Sequence, residues 1–178
     1  MIDLPKNGKY QWLPILYEIV RILEPKKIVE LGSGKGTTTV TMALAIKECQ
    51  IECSINSYDM WEDVYWGSYH NTLDNFKRWD VLEYINLYEK DFYDWIKTDE
   101  EFDFLYLDID NDGDKLLTLY NKVYPQIEGG SVVFFEGGSP MRKEFDGAKS
   151  KINYKLLTDN IKYSASIIYN DQIYELEL

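Results

Sequence analysis

Residues 26–36 read KKIVELGSGKG, and this stretch decides the fold. A short apolar run typical of a buried strand is followed at once by glycines at alternate positions, and a helical pattern begins directly after them at Thr37. In open α/β folds, ligands bind at the carboxyl ends of the strands, where glycines allow a tight turn and close approach of a ligand to the backbone. The stretch therefore predicts a strand, a ligand-binding loop and a helix, in that order.

The rest of the chain alternates β-rich runs with longer helical segments, which is typical of βαβ units around a mostly parallel sheet. One helix is predicted to end at Pro125, because proline interrupts helical hydrogen bonding. Near the C-terminus, two β-rich runs flank Asn170-Asp171, a two-residue link that favours a hairpin. The predicted fold class is α/β: a Rossmann-like doubly wound sheet, mostly parallel, of seven strands closed by a C-terminal antiparallel hairpin. The predicted organisation is a single domain over residues 1–178, with a short N-terminal helical segment at about 1–24.

Composition narrows the class of protein. A chain of 178 residues suits one domain that folds without a disulfide or metal. The formal net charge of -12 opposes binding to nucleic acid or anionic lipid, and no apolar stretch approaches the roughly 20 residues needed to cross a bilayer. Cys49 and Cys53 are predicted to be buried thiols rather than a bridge or a metal site, and no signal pattern opens the sequence. We therefore expect a cytoplasmic protein that binds neither nucleic acid nor membrane.

Three kinds of nucleotide-binding loop compete for the glycine stretch. A phosphate-binding P-loop requires a glycine at Val29 and a hydroxyl residue at Gly36, so that pattern fails twice. The dinucleotide pattern requires its third glycine at Thr37, a position that can vary. Glu30 opposes a pyrophosphate but favours the ammonium group of a methionine-like ligand. A purely structural glycine turn, in which Glu30 only caps or pairs, is the alternative.

Two further acids follow predicted strands. Asp59 ends the second strand about 20 residues beyond the loop, where a carboxylate can accept both hydroxyl hydrogens of a ribose. Asp91 follows the third strand, where it can meet the amino group of an adenine while Phe92 or an apolar neighbour covers the ring. A helix cap is the alternative role for Asp91.

These residues resemble a known family. Residues 30–36, Asp59, Asp91 and Asp108 occupy the motif positions of class I S-adenosylmethionine-dependent methyltransferases, over nearly the whole chain. The stretches FDFLYLD, ending at Asp108, and IEGGSVV, beginning at Ile127, are similar to the small-molecule O-methyltransferase branch. The resemblance implies S-adenosylmethionine as the cofactor, held by Glu30, Gly32, Ser33, Gly34, Gly36, Thr37, Asp59, Met60, Asp91, Phe92 and Asp108.

The resemblance also implies an acidic edge suited to Mg²⁺. Asp108 and Glu136 match two metal ligands of metal-dependent relatives, where the ion lowers the pKa of the acceptor hydroxyls, and Asp108 is also the implied catalytic residue. The chain departs from the family here. Many relatives carry a histidine soon after the aspartate, whereas this chain has Asp110-Asn111-Asp112, and Glu136 replaces the usual aspartate. A solvated acidic loop is the alternative.

An aromatic-rich loop follows the second strand. It contains the only histidine, His70, whose pKa range suits a general base, although a surface or helix-capping histidine is the alternative. One face cannot bury all the rings, so some are expected to line the acceptor pocket; rings tucked beneath the loop are the alternative. The residues predicted to contact the acceptor are Trp61, Tyr65, Trp66, Tyr69 and, for its positive charge, Arg142.

The sequence therefore predicts an S-adenosylmethionine-dependent methyltransferase that methylates an oxygen of a small-molecule acceptor, with assistance from Mg²⁺ left open. Two other functions stay open: a catalytically silent S-adenosylmethionine-binding module, and a metal-dependent enzyme of another reaction type on the same fold. A homodimer is left open as well.

Overall fold

The structure of the protein is a computed structural model. It describes residues 13–62, 67–109, 113–136, 165–169 and 172–175. The chain divides into two compact units, and the boundary between them follows Trp95. The single domain predicted over residues 1–178 stays a prediction.

The first unit contains three described strands and the helices that connect them. Its elements are α1 (Leu13–Leu23), β1 (Lys27–Leu31), α2 (Thr37–Cys49), β2 (Ser54–Asp59), α3 (Tyr69–Arg78), a 3-10 turn (Leu82–Tyr84), β3 (Ile85–Glu89) and the short helix α4 (Phe92–Trp95). The strands are parallel, and β2 lies between β1 and β3.

Helix α1 forms because apolar side chains recur at the spacing of one helix face. Its buried side chains are Leu13, Leu16, Tyr17 and Val20. The helix lies inside the N-terminal helical segment predicted at about 1–24, of which residues 1–12 lie outside the described part of the chain.

The parallel register brings the carboxyl ends of β1, β2 and β3 to one edge. Asp59, the last residue of β2, pairs with Glu89 of β3. Beyond the strands, the Gly32 N–H donates to the Tyr58 carbonyl at 2.9 Å, and the Lys90 N–H donates to the Asp59 carbonyl at 3.0 Å. The segments that follow the three strands therefore meet at the edge where open α/β folds bind ligands.

The second unit contains two parallel strands and a long helix. Its elements are β4 (Phe104–Leu107), α5 (Gly113–Glu128), β5 (Val132–Glu136), β6 (Ala165–Tyr169) and β7 (Gln172–Glu175). Strands β4 and β5 are parallel, and the stacked rings of Tyr106 and Phe134 lie 5.5 Å apart at their centroids in the core of this unit.

Helix α5 continues through Pro125 to Glu128, so the predicted end at this proline is wrong. Proline removes one donor from the helical ladder, but it leaves the neighbouring bonds in place. Ile127 is fully buried, and its packing holds the last turn. The Gly129 N–H then donates to the Pro125 carbonyl at 3.2 Å and closes the helix.

The described strands confirm the Rossmann-like α/β class with five parallel strands, three in the first unit and two in the second. The predicted count of seven strands and the closing hairpin stay predictions, because Asn170 and Asp171 lie outside the described residues. None of the helices within the described ranges is long and apolar enough to cross a membrane.

Cys49 and Cys53 are both thiols, but the prediction that both are buried is wrong. Cys49 is exposed because it lies in the last turn of α2, where the flanking Glu48 and Gln50 are also exposed. Cys53 is half-buried just before β2.

Candidate functional site

The loop at residues 32–36 connects β1 to α2 and turns tightly at its glycines. Gly32, Gly34 and Gly36 have φ angles of 92°, 50° and 76°, in the left-handed region that favours glycine. Gly36 also has no room for a side chain, because a Cβ there would lie 2.4 Å from the ring of Phe76. The loop conformation therefore requires glycine, and it presents backbone at the carboxyl edge of the sheet.

Ser33 carries an unused hydrogen-bonding group inside this loop. Its side chain is 5% exposed, and its Oγ is the one buried side-chain polar atom among the described residues that lacks a hydrogen-bond partner. Leaving a buried hydroxyl without a partner costs about 1–3 kcal/mol. A polar ligand bound against the loop would supply the missing partner, so the residues present fit a ligand such as the amino-acid part of S-adenosylmethionine.

Glu30 lies directly beneath the loop, and its side chain is fully buried. Its carboxylate accepts hydrogen bonds from three hydroxyls. Thr38 Oγ1 donates to Oε1 at 2.7 Å, Ser57 Oγ donates to Oε2 at 2.6 Å, and Thr39 Oγ1 also donates to Oε2. The carboxylate therefore ties β1 to β2 and to the first turn of α2, and its predicted contact with an ammonium group stays a prediction.

Burial raises the pKa of Glu30 from its ordinary value of 4.5 to about 7, because a buried carboxylate loses its hydration. The hydrogen bonds from the three hydroxyls lower this pKa and oppose the effect of burial, while the charge of the nearby Asp59 raises it further. Glu30 is thus a carboxyl group that changes charge near neutral pH beneath the glycine loop.

Asp59 connects the end of β2 to the glycine loop. The Gly34 N–H donates to its Oδ2 at 2.7 Å, and the Trp61 N–H donates to its Oδ1 at 2.8 Å. A carboxylate has about four acceptor positions, so two are left for other donors. The structure therefore places Asp59 where the sequence predicted it, and both of its oxygens retain the capacity to accept the hydroxyl hydrogens of a ribose.

The residues predicted to hold the adenine lie at the same edge. The Lys90 N–H bonds to the Asp59 carbonyl, and this bond brings the segment that starts at Asp91 beside the end of β2. Asp91 is half-buried and opens α4, whose Trp95 N–H donates to the Asp91 carbonyl at 3.0 Å. Phe92 is buried, whereas Met60 is 37% exposed next to Asp59. The adenine contacts themselves stay predictions.

Trp61 is tucked against the glycine loop. Its side chain is 9% exposed, and its Nε1 donates to the Gly34 carbonyl at 3.0 Å. The ring of Tyr69 meets it edge-on, with centroids 5.2 Å apart. The burial of Trp61 is consistent with the alternative that rings of the aromatic-rich loop are tucked beneath it. The predicted contacts of Trp61 and Tyr69 with an acceptor stay predictions.

His70 is exposed in the first turn of α3, and its predicted role as a general base stays a prediction. Three residues predicted to contact the acceptor, Tyr65, Trp66 and Arg142, lie outside the described residues. Thr37, predicted to contact the cofactor, begins α2 and is half-buried.

The predicted metal ligands come from the second unit. Asp108 directly follows β4 and is half-buried, and Glu136 is the last residue of β5. Asp110 and Asp112 lie outside the described residues. Within the ranges that the structure describes, no group of three or more histidine, cysteine or acidic side chains is placed to hold a metal ion. The Mg²⁺ site stays a prediction.

Sequence reasoning missed the polar residues that surround the loop rather than form it. Thr38 and Thr39 bond Glu30, and Thr72 and Asn75 of α3 bond the loop carbonyls. The threonine run that starts at Thr37 was the available signal for the first pair, since a buried acid requires nearby donors. The α3 contacts are 38 and 40 residues from their partners in sequence, and no local pattern marks them.

A family model described as a methyltransferase domain matches residues 29–136, which include both the glycine loop and Asp59. The chain belongs to this methyltransferase domain family. No curated protein matches this methyltransferase domain in sequence. The family match confirms the predicted enzyme class and the resemblance to class I methyltransferases.

Solved methyltransferases share the fold of this methyltransferase domain. TomG from Streptomyces achromogenes, involved in tomaymycin synthesis and solved in complex with SAM, is 15% identical over 89% of this chain and 70% of that chain, with a TM-score of 0.66. An O-methyltransferase from Bacillus cereus in complex with SAH is 13% identical over 90% and 81%, with a TM-score of 0.64. The SAH-bound methyltransferase PaMTH1 from Podospora anserina is 13% identical over 83% and 64%, with a TM-score of 0.60. At these identities the likeness is one of fold.

Proposed function

We propose that this methyltransferase domain transfers a methyl group from S-adenosylmethionine to an oxygen of a small-molecule acceptor. The observation that carries the proposal is the junction of the glycine loop with Asp59, because the Gly34 N–H holds the carboxylate beside the loop. This junction supports the proposal because a carboxylate that can accept ribose hydroxyl hydrogens lies next to a tight backbone turn at the carboxyl edge of parallel strands, where ligands of open α/β folds bind.

In the proposed complex, different described residues bind the ribose, the methionine part and the adenine of the cofactor. Asp59 accepts the ribose hydroxyl hydrogens, and the buried Ser33 hydroxyl bonds a polar group of the methionine part. Asp91 receives the adenine amino group, and Met60 or Phe92 covers the ring. When bound, the cofactor supplies a methyl group on a sulfonium that leaves as a neutral thioether.

The donor is supported by the solved relatives, and the acceptor class by their names. TomG was solved with SAM and the Bacillus cereus enzyme with SAH, the two forms of the cofactor before and after transfer. Both are O-methyltransferases, which supports transfer to an oxygen of a small molecule. The net charge of -12 favours such an acceptor over a nucleic acid.

Four finer features belong to the same proposal. Asp108 and Glu136 bind Mg²⁺ at the acceptor, a role supported by the preference of Mg²⁺ for carboxylate oxygens. A C-terminal hairpin completes a seven-stranded sheet in a single domain. The antiparallel pairing of β6 with β7, in which Ser166 pairs with Glu175 and Tyr169 pairs with Gln172, supports the hairpin. The thiol state of Cys49 and Cys53 supports a cytoplasmic location. The protein acts alone or as a homodimer.

Methyl transfer from labelled S-adenosylmethionine tests the proposal. The protein is incubated with a panel of small hydroxylated acceptors, once with Mg²⁺ and once with a chelator, and labelled products are identified by mass spectrometry. Transfer to an oxygen supports the proposal, and loss of transfer with the chelator supports the metal site. The Asp59→Asn variant is the control, because it should lower transfer to every acceptor.

A catalytically silent S-adenosylmethionine-binding module is the second candidate. The feature that favours it is Asp110-Asn111-Asp112, which stands where many family members carry a histidine. Cofactor binding without transfer to any acceptor of a broad panel supports this candidate. Tight binding of Mg²⁺ without affinity for S-adenosylmethionine would instead indicate a metal-dependent enzyme of another reaction type.

A further inference from the structure

Two carbonyls of the glycine loop accept hydrogen bonds from side chains of α3 and from Trp61. Thr72 Oγ1 lies 2.6 Å from the Gly34 carbonyl oxygen and 2.9 Å from the carbonyl oxygen of Ser68 at the start of its own helix, and its single hydrogen is assigned to the shorter contact. Trp61 Nε1 donates to the same Gly34 carbonyl at 3.0 Å and lies 3.2 Å from Thr72 Oγ1. Asn75 Nδ2 donates to the carbonyl of the next residue, Lys35, at 3.1 Å. Two consecutive loop carbonyls therefore bond three side chains that follow β2 in the chain.

The packing around these bonds leaves no room for a side chain at Gly67 or Gly36. Thr72 is fully buried, and a Cβ added at Gly67 would lie 2.6 Å from the Gly34 carbonyl oxygen. A Cβ added at Gly36 would lie 2.4 Å from the ring of Phe76 and 3.0 Å from Thr72 Cγ2, both in α3. Because even a methyl group does not fit at either place, the loop and α3 are in direct contact.

These contacts and the Asp59 carboxylate form one closed network. Gly34 gives its N–H to Asp59 Oδ2 and its carbonyl to Trp61 and Thr72. Trp61 gives its backbone N–H to Asp59 Oδ1 and its indole N–H to the Gly34 carbonyl. The carboxylate that is proposed to hold the ribose is thus fixed on both oxygens. The N–H that bonds Oδ2 belongs to the peptide unit between Ser33 and Gly34, and the next peptide unit, between Gly34 and Lys35, is bonded through its carbonyl to Thr72 of α3 and to Trp61.

We propose that Thr72 and Trp61 are positioning residues that act through Gly34 to hold the glycine loop and Asp59 in the orientation that binds the cofactor. This inference rests on the proposed function, since the ligand is the nucleoside part of S-adenosylmethionine. Neither side chain contacts the ligand in this role. Their effect is to hold the Gly34–Lys35 peptide unit, which limits rotation about the backbone bonds of Gly34 and so keeps the Gly34 N–H on the Asp59 carboxylate.

The test uses Thr72→Val, which removes the hydroxyl but keeps the buried shape, and Thr72→Ser, which restores the hydroxyl. The matched control is Thr41→Val, because Thr41 is also fully buried and its hydroxyl bonds only the Thr37 carbonyl of its own helix at 3.0 Å. Trp61→Phe is the second variant and keeps the test open if Thr72→Val does not fold.

Two measurements are made on each variant. Amide exchange of the ligand-free protein, followed by NMR, should accelerate at Gly34 by roughly fivefold or more in Thr72→Val and Trp61→Phe but not in Thr41→Val, because one hydrogen bond typically contributes this much. Titration with S-adenosylhomocysteine should show an affinity roughly fivefold to tenfold weaker in the same two variants, with recovery in Thr72→Ser.

The outcomes separate this inference from the function on which it rests. Equal S-adenosylhomocysteine affinity in the wild type and Thr72→Val, or equal Gly34 exchange in Thr72→Val and Thr41→Val, overturns the positioning role alone. No binding of S-adenosylhomocysteine by the wild type overturns the proposed function and the positioning role together.

Discussion

The buried carboxyl group of Glu30 should make the stability of the protein fall as the pH rises toward neutrality. Its side chain is fully buried, and burial raises its pKa to about 7 from an ordinary value of 4.5. Between these two pH values the folded protein keeps the proton while the unfolded chain has lost it. The free energy of unfolding therefore decreases with increasing pH across this window. The stabilising contribution of the protonated Glu30 is fully present only below about pH 4.5.

The size of the effect follows from the difference between the two pKa values. Each pH unit in the window lowers the free energy of unfolding by about 1.4 kcal/mol, because one proton is released on unfolding. Across the window from 4.5 to about 7 the total is about 3 kcal/mol, to the accuracy of the raised pKa. Such a loss is a large fraction of the roughly 5–15 kcal/mol that stabilises a typical domain.

Glu30→Gln removes the titrating group while keeping the size and an acceptor oxygen for the surrounding hydroxyls. Urea unfolding is measured at several pH values between about 5 and 8 for the wild type, for Glu30→Gln, and for Glu52→Gln, a control at an exposed glutamate just before β2. Relative to Glu30→Gln, the wild type should lose about 2–3 kcal/mol over this range. The Glu52→Gln variant should follow the wild type.

Subtracting the two profiles removes the contribution of all other titrating groups, since they are common to both proteins. A wild-type profile that runs parallel to that of Glu30→Gln between pH 5 and 8 would refute the reasoning, because Glu30 would then release its proton at the same pH in the folded and unfolded states.

Three further predictions concern the glycine loop and its neighbours. Asp59→Asn should weaken S-adenosylmethionine and S-adenosylhomocysteine by the same factor, roughly tenfold, because both contain the ribose; calorimetric titration of the two ligands checks this, and a change in only one would contradict it. Ser33→Ala should raise the free energy of unfolding of the ligand-free protein by about 1 kcal/mol, since it removes a hydroxyl that lacks a partner, and it should weaken the binding of S-adenosylhomocysteine. Chemical unfolding should therefore show a more stable protein and titration a lower affinity, and a loss of stability would contradict the prediction. Gly36→Ala should lower the unfolding free energy by about 1–3 kcal/mol, because φ is 76° and a Cβ would contact the ring of Phe76; thermal unfolding unchanged from wild type would show that the loop tolerates a side chain.

The sequence predicted the elements whose signals are local. The strand at residues 26–31, the three glycines and the helix that begins at Thr37 follow from apolar pattern and glycine spacing, and the structure has β1 and α2 at these places. The sequence predicts the wrong end for α5, because a proline indicates the end of a helical pattern, whereas the burial of Ile127 that holds the last turn depends on the folded unit. Local pattern and tertiary packing disagreed there, and packing decided the outcome.

The position of the site in the fold could be predicted from the sequence, whereas the hydrogen bonds that hold the glycine loop could not. Asp59 was found because strand ends collect at one edge of a parallel sheet, a property of the topology. The partners of Gly34 were not found, because Thr72 lies 38 residues away and contacts it only after α3 has packed on the loop. Trp61 is predicted at the acceptor because one face cannot bury all the rings of its loop. In the structure its indole N–H bonds the glycine-loop carbonyl, a contact that this argument does not predict, and its contact with an acceptor stays a prediction.

A crystal structure of the protein with S-adenosylhomocysteine tests most directly whether the glycine loop and Asp59 form one cofactor site. We expect both ribose hydroxyls within hydrogen-bond distance of the Asp59 carboxylate, and the Ser33 Oγ bonded to the amino-acid part of the ligand. A nucleoside bound away from residues 32–36, or no bound ligand at millimolar concentration, would contradict the proposal.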